Sequence, residues 1–180
     1  MLHFVRHGES TWNVEGRVQG QTPHVPLTAA GREQAHSAAG ELAGRDARLL
    51  VTSDLTRALQ TAEIVGRTLR LTPMLEPRLR EQSLGSLEGR LAAELVPETT
   101  SPGRHVSSVR WGGGESVVDV HARVGAYLRE LLSDRGEGDI VLVSHGDTIR
   151  IALAYLRGHG PRDVDWSALP NGSVTTVGVG

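Results

Sequence analysis

Cysteine is absent from the 180-residue chain, which removes disulfides, thiol nucleophiles and thiolate metal sites together. Lysine is absent too: all 19 basic residues are arginine. That excludes a Walker-type phosphate-loop lysine, a Schiff base and a lysine general base, and with them kinase and aldolase readings. No Gly-x-Ser-x-Gly elbow occurs, so serine hydrolysis lacks its nucleophile signature. Neither sign of charge is clustered: 21 acidic residues stand against 19 basic ones, for a net charge of −2, with no patch suited to nucleic acid or a membrane surface. No basic leader or long apolar run precedes the first strand, so no signal peptide or membrane span is expected, and a cytoplasmic location follows as an expectation. A chain of this length buries about 70% of its unfolded surface and needs no metal or staple to hold a core. One domain over residues 1–180 is expected, with a cap-like insertion at about 90–115.

What is present begins at once. Leu2 to Val5 is short and mostly apolar, and predicts a buried strand that delivers Arg6 and His7 to a sheet edge, where ligands bind in open α/β sheets. Gly8 then allows a sharp turn or a close approach. A guanidinium fork suits phosphate oxygens, and a neutral imidazole can attack phosphorus. Arg6-His7-Gly8 by itself also fits a surface arginine and a satisfied histidine. The arrangement recurs at Ile140-Val141-Leu142-Val143-Ser144-His145-Gly146, a second apolar run ending in His-Gly and opening into a helix. A third strand-to-helix junction, Val51 to Ala58, puts Arg57 in a first helical turn, where free N–H groups favour anions. The bland reading of Arg57 is a solvated helix-start residue, but a positive side chain there is disfavoured by the helix dipole and an anion nearby explains it better.

Between these junctions the periodicity alternates strand and helix. Thr28 is a fitting N-cap for a helix carrying Ala35, Ala38, Ala39 and Leu42 at i, i+3, i+4, i+7. Leu49 to Val51 reads as a strand, Leu55 to Leu69 as a helix, and Met74 to Pro77 as a short edge strand. Val117, Val120, Val124, Leu128 and Leu131 predict a helix ending near Gly136; Ile149, Ala152, Leu153 and Leu156 predict another; Ser173 to Val179, after an Asn171-Gly172 turn, reads as a last strand. The fold class expected is therefore α/β, a three-layer sandwich with a mostly parallel central sheet flanked by helices. Residues 14–26 are too rich in breakers for a regular element, and 90–115, with Pro97, Pro102 and Gly112-Gly113-Gly114, predict a mobile cap. Arg104, His105 and Arg110 lie in that cap without an assigned role. His3 and His7 are about 13 Å apart if both lie on a strand, unlike a zinc-binding helical pair, so no metal site is expected. His36, His121 and His159 show no partner pattern.

Taken together, Leu2–Asn13, Gln19-Gly20, Pro26-Leu27-Thr28, Ser53–Thr61, Glu81–Gly89, Gly114-Glu115-Ser116 and Val143–Arg150 resemble the histidine phosphatase superfamily, the phosphoglycerate-mutase-like proteins. The resemblance implies that His7 is the residue phosphorylated, that Arg6, Asn13, Arg57 and His145 form the phosphate pocket with Gln19, Gly20 and Gly146, and that Glu81 is the proton donor. Read without the resemblance, Glu81 is equally a surface carboxylate paired with a neighbouring arginine. Beside a phosphate, like charge would raise its pKa, as a general acid needs. Departures stand at His24, where the family carries Asp before Pro-Leu-Thr, and at Leu84 and Leu87, where it carries aromatics; they bear on substrate shape. The expected activity is phosphomonoester hydrolysis through phosphohistidine without metal or cofactor, the alternatives being a cofactor-dependent phosphoglycerate mutase and a non-catalytic relative that binds a phosphorylated ligand. The expected partner is a small phosphorylated substrate, with neither nucleic acid nor membrane, and a homodimer is allowed.

Overall fold

The computed structural model describes residues 1–96, 103, 105–133 and 136–178. Its sheet has five strands, β1 (Leu2–Arg6), β2 (Ala47–Thr52), β3 (Met74–Leu75), β4 (Asp139–Ser144) and β5 (Val174–Val177), in the order β3-β2-β4-β1-β5. The first four run parallel, and β5 closes the edge antiparallel to β1. The helices are α1 (Thr11–Glu15), α2 (Ala29–Leu42), α3 (Thr56–Leu69), α4 (Val117–Ser133) and α5 (Gly146–Leu156). Among the described residues no helix is long and apolar enough to cross a membrane.

The central strands read as continuous apolar runs because both sheet faces are covered. Leu2 and Phe4 of β1 and Ile140 and Leu142 of β4 belong to a core with Val120, Val124 and Leu128 of α4 and Ile149 and Ala152 of α5. Their neighbours Val5, Val141 and Val143 belong to a second core with Ala38, Ala39 and Leu42 of α2 and Ala58, Ala62 and Val65 of α3. The period-two alternation of each strand thus feeds two helical layers, giving the expected three-layer α/β sandwich.

Thr28 caps α2, its hydroxyl accepting from Gly31 N at 2.9 Å. Met74 and Leu75 form the exposed outer strand, and a 3₁₀ turn begins at Pro77, where the missing N–H ends pairing. α4 is described to Ser133; residues 134–135, between it and the expected end near Gly136, and Val179, the end of the expected last strand, lie outside the described residues. α1 is an addition: five residues without an apolar stripe, started by Ser10, whose side chain and that of Asn13 close a reciprocal capping box.

The cap expectation changes in character. Between 90 and 115 the described residues form 3₁₀ turns at Ala92–Glu94, Val106–Ser108 and Trp111–Gly113, tied to the body by Ala92 N donating to Gly16 O at 2.8 Å. Pro97, Pro102 and Arg104 lie outside the described residues. Arg110 turns to α4, where its Nε and Nη2 grip Asp119 at 2.9 and 2.8 Å.

Candidate active site

Register brings the two His-Gly junctions together. Arg6 is paired with Ser144 across β1 and β4, so the next residue of each strand, His7 and His145, emerges at the same carboxyl edge. His7 N donates to Ser144 O at 2.9 Å, and the two imidazoles meet edge to face with centroids 5.1 Å apart. β2, on the other side of β4, adds Ser53, whose N–H reaches Val143 O at 3.0 Å and whose hydroxyl lies 2.8 Å from His145 Nε2.

Each functional group is held by something specific. His7 Nδ1 lies 2.7 Å from Gly8 O, which can only accept, so the proton sits on Nδ1 and Nε2 keeps its lone pair. Gly8 is required by close approach: a Cβ there would lie 2.1 Å from Gly31 O of α2. Thr61 Oγ1 of α3 accepts from Gly8 N at 3.1 Å, and Asn171 Nδ2 donates to His7 O at 3.0 Å. Arg57, the second residue of α3, is fully buried, with Nη1 and Nη2 on the carbonyls of Thr22 and Gly20 at 3.1 and 2.8 Å. Arg6 donates Nη1 to Leu169 O. Gly146 opens α5 directly beside Arg6, since a Cβ there would come 3.5 Å from Arg6 Nε.

Asn13 and Gln19 converge on Ser10: Asn13 Oδ1 lies 3.0 Å from Ser10 N, and Gln19 Oε1 2.7 Å from Ser10 Oγ. Gly20 is pressed on Glu88, whose carboxylate a Cβ would meet at 2.2 Å. His24, by contrast, is exposed and stacks edge-on against Trp12.

Glu81 sits at the N-terminus of α5, not beside a neighbouring arginine. Its Oε1 takes Thr148 N at 3.1 Å and its own neighbour Gln82 N at 3.0 Å, while Oε2 takes only Asp147 N, at 3.3 Å. The main chain around it is clamped by Arg123, which donates to Arg78 O at 2.8 Å and Glu81 O at 2.9 Å while holding Glu115 at 2.7 and 2.9 Å. Neither the clamp nor Asn171 was legible in the spacing; Ser53, Thr61, Glu115 and Thr148 lay in stretches with family resemblance but carried no role.

Three buried side-chain nitrogens among the described residues have no hydrogen-bond partner: Arg6 Nε, Arg57 Nε and His145 Nδ1. Both arginine nitrogens are donors; where Ser53 Oγ donates to Nε2, the proton of neutral His145 falls on Nδ1, which is then a third. Buried donors are seldom left unpaired, because each costs about 1–3 kcal/mol. All three belong to side chains near enough to His7 to interact with it electrostatically. Among the described residues no group of three or more His, Asp or Glu side chains could hold a metal ion.

Burial sets the electrostatics. It holds the His7 pKa well below the usual imidazole value, helped by Arg57 and Arg6 and opposed by the Gly8 carbonyl. It does the same to His145, with Arg57 and His7 adding. Burial also lowers Arg57 to about 10, still charged at neutral pH. Asp147 is pushed up to about 6, first by burial and then by Glu81. Both histidines are neutral in the folded protein where an unfolded chain binds protons, so folding loses stability as pH falls below about 6.5, by up to about 1.4 kcal/mol per pH unit for each. Asp147 acts oppositely below 6, as one half-exposed group against two buried ones. The thermal midpoint is expected to fall between pH 6.5 and 5.0, and calorimetry showing a flat midpoint would mean that the imidazoles charge without unfolding.

Fold and site thus define a class, an α/β protein that gathers two histidines and two arginines at the carboxyl edge of its sheet. The chain belongs to the histidine phosphatase superfamily (branch 1), whose sequence profile matches residues 2–180. It is 36% identical over 180 residues, 98% of its length and 83% of the other's, to a Yersinia enterocolitica protein named "Probable phosphoglycerate mutase GpmB". Among solved structures it resembles mycobacterial glucosyl-3-phosphoglycerate phosphatase complexed with VO3, at 34% identity and a TM-score of 0.83 over 96% of this chain and 88% of that one. It also resembles Entamoeba histolytica phosphoserine phosphatase, at 26% identity and a TM-score of 0.80 over 96% and 87% of the two chains.

Proposed function

We propose that this protein hydrolyses phosphomonoesters through a phosphohistidine on His7. The observation that carries the reading is the set of three unpaired buried donors, Arg6 Nε, Arg57 Nε and His145 Nδ1, around an imidazole whose Nε2 is unprotonated. Nε2 attacks phosphorus as the ester P–O bond breaks, and the three donors stabilise the charge on the equatorial oxygens. Asn13, Gln19, Gly20 and Gly146 are proposed to complete the phosphate-binding set. Glu81 gives a proton to the leaving alkoxide from Oε2, the oxygen with the weaker hold on the α5 N-terminus. It then takes one from the water that attacks phosphohistidine, which releases phosphate and restores neutral His7. Because the His7 pKa is depressed, the nucleophile stays neutral at mildly acidic pH.

Hydrolysis is favoured over isomerisation by the cover. A mutase must hold a bisphosphorylated intermediate away from water, with a second set of basic anchors. Of the two cap arginines considered for that role, Arg110 is spent on Asp119, and Arg104 lies outside the described residues. Supplied with 3-phosphoglycerate and 2,3-bisphosphoglycerate, the protein is expected to release inorganic phosphate with little 2-phosphoglycerate. Rapid isomerisation with far slower phosphate release would instead establish a mutase.

A further inference from the structure

Beside the phosphate pocket a cavity of about 320 Å³ opens along the start of α5. It is at the small end of the range for ligand sites, which are mostly apolar with a few placed polar groups. Its walls are Leu84, Val106, Trp111, Val117, Pro161 and Trp166. Val106 and Trp166 are 53% and 52% exposed, an unusual position for large apolar side chains unless something covers them. Asp147 joins the two spaces: its side chain lines the cavity while its N–H holds Glu81 Oε2, so the cavity starts where the ester oxygen would receive its proton.

Four of the five polar residues on the walls already have partners, Asp147 accepting from Arg150 at 3.1 Å. Gln82 Nε2 donates to Glu115 O at 2.7 Å, and Ser107 Oγ lies 2.8 Å from His105 Nδ1, which also takes Ser107 N at 3.2 Å. Arg162, also on the wall, is exposed. A hydroxyl-rich alcohol would surrender water here for few partners, whereas an apolar one would cover exposed tryptophan, valine and leucine.

Resting on the phosphatase reading above, we propose that this cavity receives the alcohol portion of the substrate and selects phosphomonoesters of apolar alcohols, with an alkyl chain or an aromatic ring, over sugar phosphates. The test is kcat/KM for ethyl, butyl, hexyl and octyl phosphate, alcohols of nearly constant leaving ability, with 2-phenylethyl phosphate as the aromatic arm and glucose 6-phosphate as the polar one. The rate constant is expected to climb by up to about fourfold per buried methylene, levelling once the cavity is full, with glucose 6-phosphate about a hundredfold below the best ester. Trp166→Ala and Trp111→Ala are each expected to lower the hexyl-to-ethyl ratio about tenfold, and because the ratio is taken on one preparation, loss of folded protein cancels. Calorimetric affinities of the same esters for His7→Ala read the cavity without turnover. A flat chain-length series in both measurements, or ratios unchanged in both tryptophan variants, would overturn the cavity assignment while phosphate release left the phosphatase reading standing. Ester binding that climbs with chain length, with no ester hydrolysed, would keep the cavity and remove the phosphatase.

Discussion

His7→Ala is expected to lower turnover by about 10⁴-fold or more, the scale seen when an enzymatic nucleophile is removed outright. No neighbouring group can take over. His145 Nε2 is engaged by Ser53 and its Nδ1 is a donor, and the chain has no cysteine or lysine. Wild-type protein quenched within the first turnover should carry a phosphate that is acid-labile and alkali-stable, as phosphoramidates are, and that label should vanish in His7→Ala. The variant should still fold: the imidazole contributes one hydrogen bond, to Gly8 O, and its loss relieves a buried group. Turnover near the wild-type rate in a folded His7→Ala protein would end the covalent mechanism.

Glu81→Gln is expected to produce the second large effect, and a selective one. Hydrolysis of an alkyl phosphate should fall by about 10²–10⁴, the usual contribution of general acid catalysis, while p-nitrophenyl phosphate, whose leaving group scarcely needs a proton, should lose far less. The amide keeps an acceptor for Thr148 N, so the segment stays in place under the Arg123–Glu115 clamp. Equal losses on the two substrates would take Glu81 out of the acid role and leave it as a positioning group at the α5 N-terminus.

Much of the architecture was readable because its signals are local. The apolar runs Leu2–Val5 and Ile140–Val143 are strands buried on both faces, and the stripes of α2, α3, α4 and α5 face the sheet as their periodicity requires. Arg57 was ambiguous in sequence between a solvated residue and an anion ligand, and full burial decides against the solvated one. The helix α1 went unread because five residues carry no periodicity, and its start depends on a capping exchange between Ser10 and Asn13. In the cap, sequence left Arg110 without a role, and the guanidinium found Asp119 of α4 nine residues on.

The sequence by itself determined the alternation of strands and helices, the three junctions where His7, Arg57 and His145 leave the sheet edge, and the family. The first two follow from side-chain types repeating at short intervals along the chain, and the family from its resemblance in the motif blocks. Only the tertiary structure decided what those residues meet. The pairing of Arg6 with Ser144 set the two imidazoles 5.1 Å apart, and Ser53 reached His145 across 92 residues of chain. Glu81 found the N-terminus of α5 in place of an arginine, and three donors were left together without a partner. The physical reason is that burial of apolar area is non-directional and survives being read as a pattern, whereas a hydrogen bond depends on distance and angle within tenths of an ångström. Such geometry exists only once strand register and helix placement have been fixed by packing.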